Sequence, residues 1–198
     1  MNLGDASVVL PSMLRCVVRQ LEIAMYHNLP AEAQAGACRI IFETHVRIKL
    51  MLKSPSRISQ FAAARWFDEQ RMLIAMQEMR EAPWIAKRLR FVEGQIQELG
   101  LNQPPEDKAA WRSRKVGLRK EHEALYTLFS LYCHASGMLA AEEYQTCYKA
   151  AFIHQAQHYA GCCFYDVQRC VEKLLKEPSL RLCSEGDQPQ SLASRTFA

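Results

Sequence analysis

Glycine and proline are scarce in this chain, with eight of each among 198 residues. β-Branched residues are scattered and nowhere alternate regularly with polar residues, so the pattern of a half-buried strand is missing. Alanine, leucine, glutamate, glutamine, arginine and methionine are plentiful instead, and this composition favours helices over turns. The sequence therefore argues against a sheet-rich fold and predicts an all-α protein.

Several chemical signatures are missing as well. The eight cysteines include no Cys-x-x-Cys pair, and most fall inside predicted helices of a chain too large to need disulfide staples. The sequence has no glycine-rich phosphate loop, and its first twelve residues lack the basic region and long apolar run of a secretory signal. We expect reduced cysteines in a cytoplasmic protein with no membrane span and no cofactor.

Helix-stop residues divide the chain into a bundle of about six helices. Because the connection between the last two helices is short, we expect them to form a long central antiparallel hairpin. Residues 1–178 are predicted to be one domain, and residues 179–198 a disordered tail because they contain few large apolar groups. The predicted helices span 11–26, 31–52, 57–81, 84–99, 109–134 with an interruption at Gly117, and 139–176.

Two spans in the last third of the chain carry almost no charge, Ala124–Ala141 and Ala150–Tyr165. A helix that is apolar all round is predicted to be buried, so each polar group on it needs a partner or a function. Tyr126, Ser130 and His134 recur every four residues and so line one stripe of the first span. His134 either closes the hairpin through a structural hydrogen bond or titrates in a binding or catalytic site.

A charged ladder follows the second predicted helix, where Arg39, Glu43 and Arg47 recur every four residues. On an exposed face these three side chains would form ordinary surface ion pairs. On an inward face, burial would force the Glu43 carboxylate to pair, and Tyr126 or His134 of the facing helix would be natural partners.

These residues resemble a known pattern. Arg39-Ile40-Ile41-Phe42-Glu43, a later Trp, a stretch rich in Arg and Lys, and Tyr126, Ser130 and His134 are similar to an uncharacterised bacterial family of helical proteins. The likeness covers roughly residues 35 to 140. Its hairpin in turn resembles the HEPN (higher eukaryotes and prokaryotes nucleotide-binding) superfamily, many of whose members are dimeric RNases in toxin and phage-defence systems. The resemblance implies a HEPN-like homodimer that binds itself, RNA, a nucleotide or a protein partner, without demonstrable catalysis.

A metal-independent RNase is the alternative that this resemblance implies. His134 would move the proton, Arg39 would stabilise charge on the phosphate, and Glu43 would orient the imidazole. HEPN nucleases have an Arg shortly before the active-site His, whereas this chain has Thr127, Leu128 and Phe129 upstream of His134. The charge would therefore have to come from Arg39 on another helix.

Positive charge is concentrated in the middle of the chain. Residues 80–120 contain ten Lys or Arg against five acids, an excess larger than the net +4 of the whole chain. Together with Trp84 and Trp111, such a stretch is typical either of contacts to phosphates and bases or of a solvated helix face. The candidate binding residues within it are Arg112, Arg114, Lys115 and Arg119.

A second alternative is a metal-binding helical bundle. His154 and His158 have the i, i+4 spacing with which two imidazoles on one helix can hold one metal ion, and Cys162 continues the same side. No Glu follows His154 to act as the base of a zinc hydrolase. The default expectation is therefore that this stripe packs in the core or faces a partner, with no metal bound.

Overall fold

The computed structural model of the protein describes residues 3–79, 82–102, 108–133 and 142–176. Within these ranges the chain is helical apart from short turns, and it contains no strand, so the all-α prediction is confirmed. The predicted tail at 179–198 lies outside the described residues. The helical elements are α1 (Leu3–Met25), α2 (Ala31–Lys53), α3 (Ser56–Met79), α4 (Pro83–Glu98), α5 (Ala109–Lys115), α6 (Arg119–Glu121), a π-helical turn (His122–Tyr126, "the π turn"), α7 (Thr127–Cys133) and α8 (Glu142–Lys176).

Residues that stop or start helices lie where the sequence analysis placed them. Pro30 precedes α2, and Pro83 is the first residue of α4, a position where its missing N–H costs no hydrogen bond. Gly100 follows α4 with φ of 57°, and Gly117 separates α5 from α6 with φ of 81°. Glycine adopts these left-handed conformations without steric strain, which explains the interruption predicted at Gly117.

The first helix begins earlier than predicted. The sequence analysis started it at Pro11, but α1 begins at Leu3 and contains Pro11. Proline removes one hydrogen bond from a helix interior. Val9 and Leu10, just before it, are buried in the main core, and their packing helps to offset this loss.

The main core is built around α2, which packs against α1, α7 and α8. The sequence analysis expected the last two helices at the centre, and of these α8 is the main packing partner of α2. Aromatic rings of α7 and α8 do contact each other, but the residues that would connect these helices, 134–141, lie outside the described part of the chain. The central hairpin therefore stays a prediction. The largest fully buried core side chains here are Ile41, Phe42, Ile48, Met51, Phe129, Tyr132 and Phe152.

Helix α8 is amphipathic rather than buried all round. One side carries the buried residues Phe152, Tyr159 and Cys163, whereas His154 and His158 are exposed. The expectation that the whole uncharged span 150–165 is buried was wrong. A span without charge can still face solvent where small and weakly polar residues such as alanine, glutamine and histidine cover it.

Helices α3 and α4 form an antiparallel pair, the α3–α4 hairpin, with a small core of its own. Leu73, Ile85 and Val92 are its buried residues. The start of α3, at Ile58, belongs instead to the main core. The hairpin is thus joined to the bundle chiefly through the first half of α3.

Within the described ranges, none of the helices combines the length and apolar composition needed to cross a bilayer.

Candidate functional site

Arg39 on α2 brings together three of the residues that the sequence analysis selected. Its Nε donates a hydrogen bond to Glu43 Oε1 at 3.0 Å, and its Nη2 donates one to the hydroxyl of Tyr126 at 2.6 Å. The guanidinium carbon also lies 4.4 Å from the centroid of the Tyr126 ring. The Arg39 and Glu43 side chains are about three-quarters buried, so water screens this pair less than an exposed one.

The π turn adds His122 to this group. The ring of His122 stacks on that of Tyr126, with centroids 4.7 Å apart and planes 16° apart. Its Nε2 is buried and has no hydrogen-bond partner among the described residues. π-Helical turns occur frequently at functional sites because the extra residue in the turn re-aims side chains. Arg39, Glu43, His122 and Tyr126 are named the arginine cluster below.

Burial lowers the pKa of His122 below its ordinary value of 6.5. The carboxylates of Glu43 and Glu123 act in the opposite direction, and the positive charge of Arg112 adds to the lowering. The imidazole is therefore neutral near pH 7 and can accept a proton. A guanidinium, a tyrosine hydroxyl and a neutral imidazole thus lie side by side.

A second polar group, named the aspartate cluster, lies further along α2. His45 Nε2 and Lys49 Nζ approach the same oxygen of Asp166 on α8, at 3.2 and 3.4 Å. The His45 side chain is only 4 % exposed, and its Nδ1 is buried without a hydrogen-bond partner among the described residues. Burial lowers the pKa of His45, although the Asp166 carboxylate opposes this shift.

Aromatic residues separate the two clusters. Phe42 contacts Tyr159 edge to face, with ring centroids 5.0 Å apart, and the Tyr159 ring lies 5.5 Å from that of His45. Burial raises the pKa of the Tyr159 hydroxyl to about 12, so this hydroxyl stays protonated at any physiological pH. The clusters are therefore two local sites with an apolar contact between them.

A small open cavity adjoins the aspartate cluster. It has a volume of about 190 Å³ and is lined by Lys49, Leu52, Lys53, Val116 and Asp166. Lys53 Nζ also donates a hydrogen bond to the carbonyl oxygen of Lys115 at 2.8 Å. The end of α2 is thereby tied to the end of α5.

The last turn of α5 carries most of the basic residues selected from the sequence. Trp111 has the Arg57 guanidinium 5.2 Å from its ring centroid and the Lys115 ammonium at 5.4 Å. Arg114 and Lys115 are exposed, and Arg112 is partly buried. Arg119 pairs with Glu123 at 2.7 Å on the surface. Trp111, the two cations near its ring and the neighbouring basic residues of α2, α5 and α6 are named the basic face: Trp111, Lys53, Arg57, Arg112, Arg114, Lys115 and Arg119.

The stripe on α8 shows little sign of a metal site. His158 Nε2 lies 3.8 Å from the sulfur of Cys162, and His154 is exposed one turn earlier. No three His, Cys, Asp or Glu side chains within the described ranges are placed to hold a metal ion. The pair His154 and His158 therefore lacks a third ligand in this part of the chain.

Five cysteines are free thiols: Cys16, Cys38, Cys162, Cys163 and Cys170. Cys38 donates a hydrogen bond to the carbonyl oxygen of Phe152 at 2.9 Å. Burial raises the pKa of Cys163 to about 12, which keeps this thiol protonated and unreactive.

Two of the selected residues cannot be placed. His134 and the side chain of Ser130 lie outside the described part of the chain, so the expected contact between Glu43 and His134 stays a prediction. Among the described residues, Glu43 pairs with Arg39, while the Arg47 guanidinium lies over the Phe61 ring at 5.6 Å.

Sequence reasoning missed four polar residues of these clusters: His45, Lys49, His122 and Asp166. His122 stands between two glutamates, a context typical of a solvated helix surface. Asp166 is 121 residues from His45, and no local spacing connects them. One signal was available, since His45 falls at helical spacing with the apolar residues Cys38, Ile41 and Ile48, which form the buried side of α2.

Comparison with protein-family models, curated proteins and solved structures finds no match to this chain. The HEPN resemblance therefore rests on the sequence pattern alone.

Proposed function

We propose that this protein binds single-stranded RNA through the basic face. The observation that carries the proposal is the position of Trp111, whose ring centroid has the Arg57 guanidinium at 5.2 Å and the Lys115 ammonium at 5.4 Å. Cations at such a site neutralise backbone phosphates, and an aromatic ring provides a surface on which a base can stack.

The charge of this region supports the proposal. Residues 108–123 contain six Lys or Arg and two Glu, a local excess of four positive charges. A cationic surface with an aromatic residue at its centre attracts a phosphate polymer and raises its association rate. Two cations from different helices lie 5.2 and 5.4 Å from the centroid of one indole ring, an arrangement that an ordinary solvated helix face does not require.

The arginine cluster adjoins the basic face. Arg112 is close enough for its charge to lower the pKa of His122, and Trp111, its neighbour in sequence, is the centre of the basic face. An RNA strand lying on α5 would therefore pass near Tyr126 and His122. These two stacked rings offer a second aromatic surface.

Binding of a fluorescently labelled, unstructured RNA measured by anisotropy tests this proposal. Arg114→Ala removes an exposed charge from the basic face, and Arg90→Ala removes an exposed charge from α4 as a matched control. We expect Arg114→Ala to weaken binding and to reduce the slope of log affinity against log salt by about 0.7, as for one lost phosphate contact on a single strand.

Trp111→Leu provides an independent measurement, because it leaves the net charge unchanged. We expect it to weaken binding with little change in the salt slope, since a stacked base contributes about 1–3 kcal/mol. Equal binding by wild type, Arg114→Ala and Arg90→Ala, or no binding by wild type at low salt, would contradict the proposal.

Membership of the HEPN superfamily and a role in bacterial defence or a toxin–antitoxin pair stay part of this proposal. The described structure supports only their simplest element, an all-helical bundle with an Arg39–Glu43 helix facing Tyr126. A nucleotide or a protein in place of RNA are the other ligands that the resemblance implies. Competition of each against labelled RNA distinguishes them.

Metal-independent RNA cleavage is the second candidate function. It is favoured by the placement of Arg39, which is fixed by Glu43 and Tyr126 close to the neutral imidazole of His122. Arg39 could stabilise charge on the phosphate, while His122, or His134 as the sequence analysis expects, could move the proton.

Incubation of RNA with the purified protein in excess chelator tests cleavage. If the activity belongs to this site, Arg39→Met abolishes it, whereas Arg47→Met on the same helix retains it. His122→Asn and His134→Ala then identify which imidazole acts. Cleavage that persists in Arg39→Met would come from elsewhere.

A further inference from the structure

The α3–α4 hairpin exposes apolar side chains that its own small core does not cover. Met72 and Met79 lie seven residues apart on α3 and are 53 and 87 % exposed; Trp84 and Phe91 lie seven residues apart on α4 and are 57 and 49 % exposed. Leu99, just after α4, is 55 % exposed. Single exposed apolar residues are ordinary, but a contiguous set marks an interaction surface.

The spacing of these residues indicates the shape of the partner. A seven-residue repeat returns to nearly the same side of a helix, so each helix of the hairpin presents an apolar stripe. The exposed Ala75 continues the stripe of α3 between Met72 and Met79. Stripes with this repeat pack against helices whose apolar residues have the same repeat. The partner is therefore expected to be helical.

The two stripes meet near the tip of the hairpin. Met79 of α3 and Trp84 of α4 line the same cavity of about 370 Å³, together with Met76, Ala82 and Ile85. An apolar cavity on such a surface can receive a side chain from a partner. Met72, Met79, Trp84, Phe91 and Leu99 are named the hairpin face.

The net charge of the hairpin indicates which kind of partner it can bind. Residues 65–98 contain six basic and six acidic side chains and so have no net charge. Such a surface does not repel its own copy, as a strongly charged surface would. It also lacks the excess of cations with which the basic face attracts a phosphate polymer.

We propose that the hairpin face is the contact between two copies of this chain, which form an intermolecular four-helix bundle from two α3–α4 hairpins. A two-fold dimer uses the same surface on both partners, and here one hairpin supplies apolar stripes of the required repeat and a neutral surface. Methionine and aromatic side chains are enriched at the centres of such interfaces. The inference goes beyond RNA binding and does not depend on it.

Sedimentation velocity of the full chain across a wide range of concentrations tests the proposal. We expect a reversible dimer for the wild type. Trp84→Glu and Met79→Glu, which place a charge on the hairpin face, each weaken the dimer about a hundredfold, as expected for a contact residue that contributes strongly to binding. Circular dichroism and thermal melting verify that both variants keep the helical fold.

Phe164→Glu is the matched control, because Phe164 is a similarly exposed aromatic residue on α8, at 42 %. We expect it to retain the wild-type dimer. A monomeric wild type at every concentration, or a dimer that Trp84→Glu and Met79→Glu leave intact, overturns the proposal. If only Phe164→Glu loses the dimer, the contact lies on α8, and this result also overturns the proposal.

Discussion

The bundle around α2 and the α3–α4 hairpin depart in opposite ways from the usual distribution of side chains. The bundle buries His45 and encloses much of the Arg39, Glu43 and Tyr126 network. The hairpin leaves Met79 and Trp84 open to solvent. Buried polar groups are costly unless paired, and exposed apolar groups are costly unless covered. The bundle pairs Arg39, Glu43, Tyr126 and one nitrogen of His45 within one molecule, although His45 Nδ1 and His122 Nε2 have no partner among the described residues. The apolar side chains of the hairpin, in contrast, are expected to be covered by a second molecule.

The two regions also hold their ion pairs differently. Arg88 and Glu69 cross the hairpin on its surface at 2.6 Å, where water competes for both groups. Arg39 in the bundle contacts both a carboxylate and a phenol in a partly buried site. Equal substitutions in the two regions should therefore have unequal effects.

The largest difference is expected for paired phenylalanine substitutions. Phe42→Ala removes a ring that is 1 % exposed and contacts Tyr159, so the free energy of unfolding should fall by about 3–5 kcal/mol. Phe91→Ala in the hairpin should cost less than about 1.5 kcal/mol, because nearly half of that ring already faces solvent. Urea denaturation measures both. Equal losses would mean that the hairpin is packed as tightly as the bundle.

The second largest effect is expected from low pH, which should lower the stability of the bundle. Burial lowers the folded-state pKa of His45 and His122 below their ordinary value of 6.5. The unfolded chain therefore takes up protons first, so stability is fully present above pH 6.5 and is lost as the pH falls from there through the lower folded values. Urea midpoints measured across this range should decline.

Asp166→Asn tests whether the Asp166 carboxylate affects the loss of stability at low pH. The Asp166 carboxylate raises the pKa of His45, so its removal lowers that pKa further and steepens the loss of stability below pH 6.5. An unchanged slope would show that Asp166 and His45 are not coupled in solution.

Tyr126→Phe should have a smaller effect, about 1 kcal/mol. The change deletes the hydroxyl that accepts the Arg39 hydrogen bond but keeps the ring that stacks on His122. Tyr165→Phe on the exposed side of α8 is the matched control and should leave the unfolding midpoint unchanged. If Tyr126→Phe leaves the unfolding midpoint unchanged, the hydrogen bond from Arg39 to Tyr126 contributes no more to stability than an exposed surface contact does.

The smallest effect is expected for the surface pair of the hairpin. Arg88→Met removes one partner of Glu69 but keeps an unbranched side chain over Phe91. Because water replaces the lost contact, the melting temperature should stay within the scatter of replicate measurements. A clear decrease would show that this ion pair is a structural element of the hairpin.

Much of the fold was predictable from local signals, because prolines and glycines act on their immediate neighbours. Pro30, Pro83, Gly100 and Gly117 lie at the ends of helices as expected. The start of α1 was not predictable, because tertiary packing beside Pro11 compensates for a residue that usually ends helices. The arrangement around α2 was missed because contacts between distant helices leave no local pattern.

The candidate site was predictable only where its residues are neighbours on one helix or were linked by the resemblance. Glu43 follows Arg39 by four residues, and the resemblance linked both to Tyr126, which Arg39 contacts. His122 was missed because a π turn breaks the helical repeat from which side-chain directions are inferred. Asp166 was missed because its partner His45 lies on another helix.

The π turn has a consequence for how this region tolerates insertions and deletions. A π-helical turn contains one residue more than the α-helical path and absorbs that residue within the turn, so deleting one residue there would restore an unbroken α-helix and leave α7 in nearly its present orientation. If the turn became α-helical with all of its residues kept, α7 would rotate by about 100°, and the fully buried Phe129 and Tyr132 would point away from the core. The five residues of the π turn are therefore where the loss of one residue disturbs the packing of α7 least.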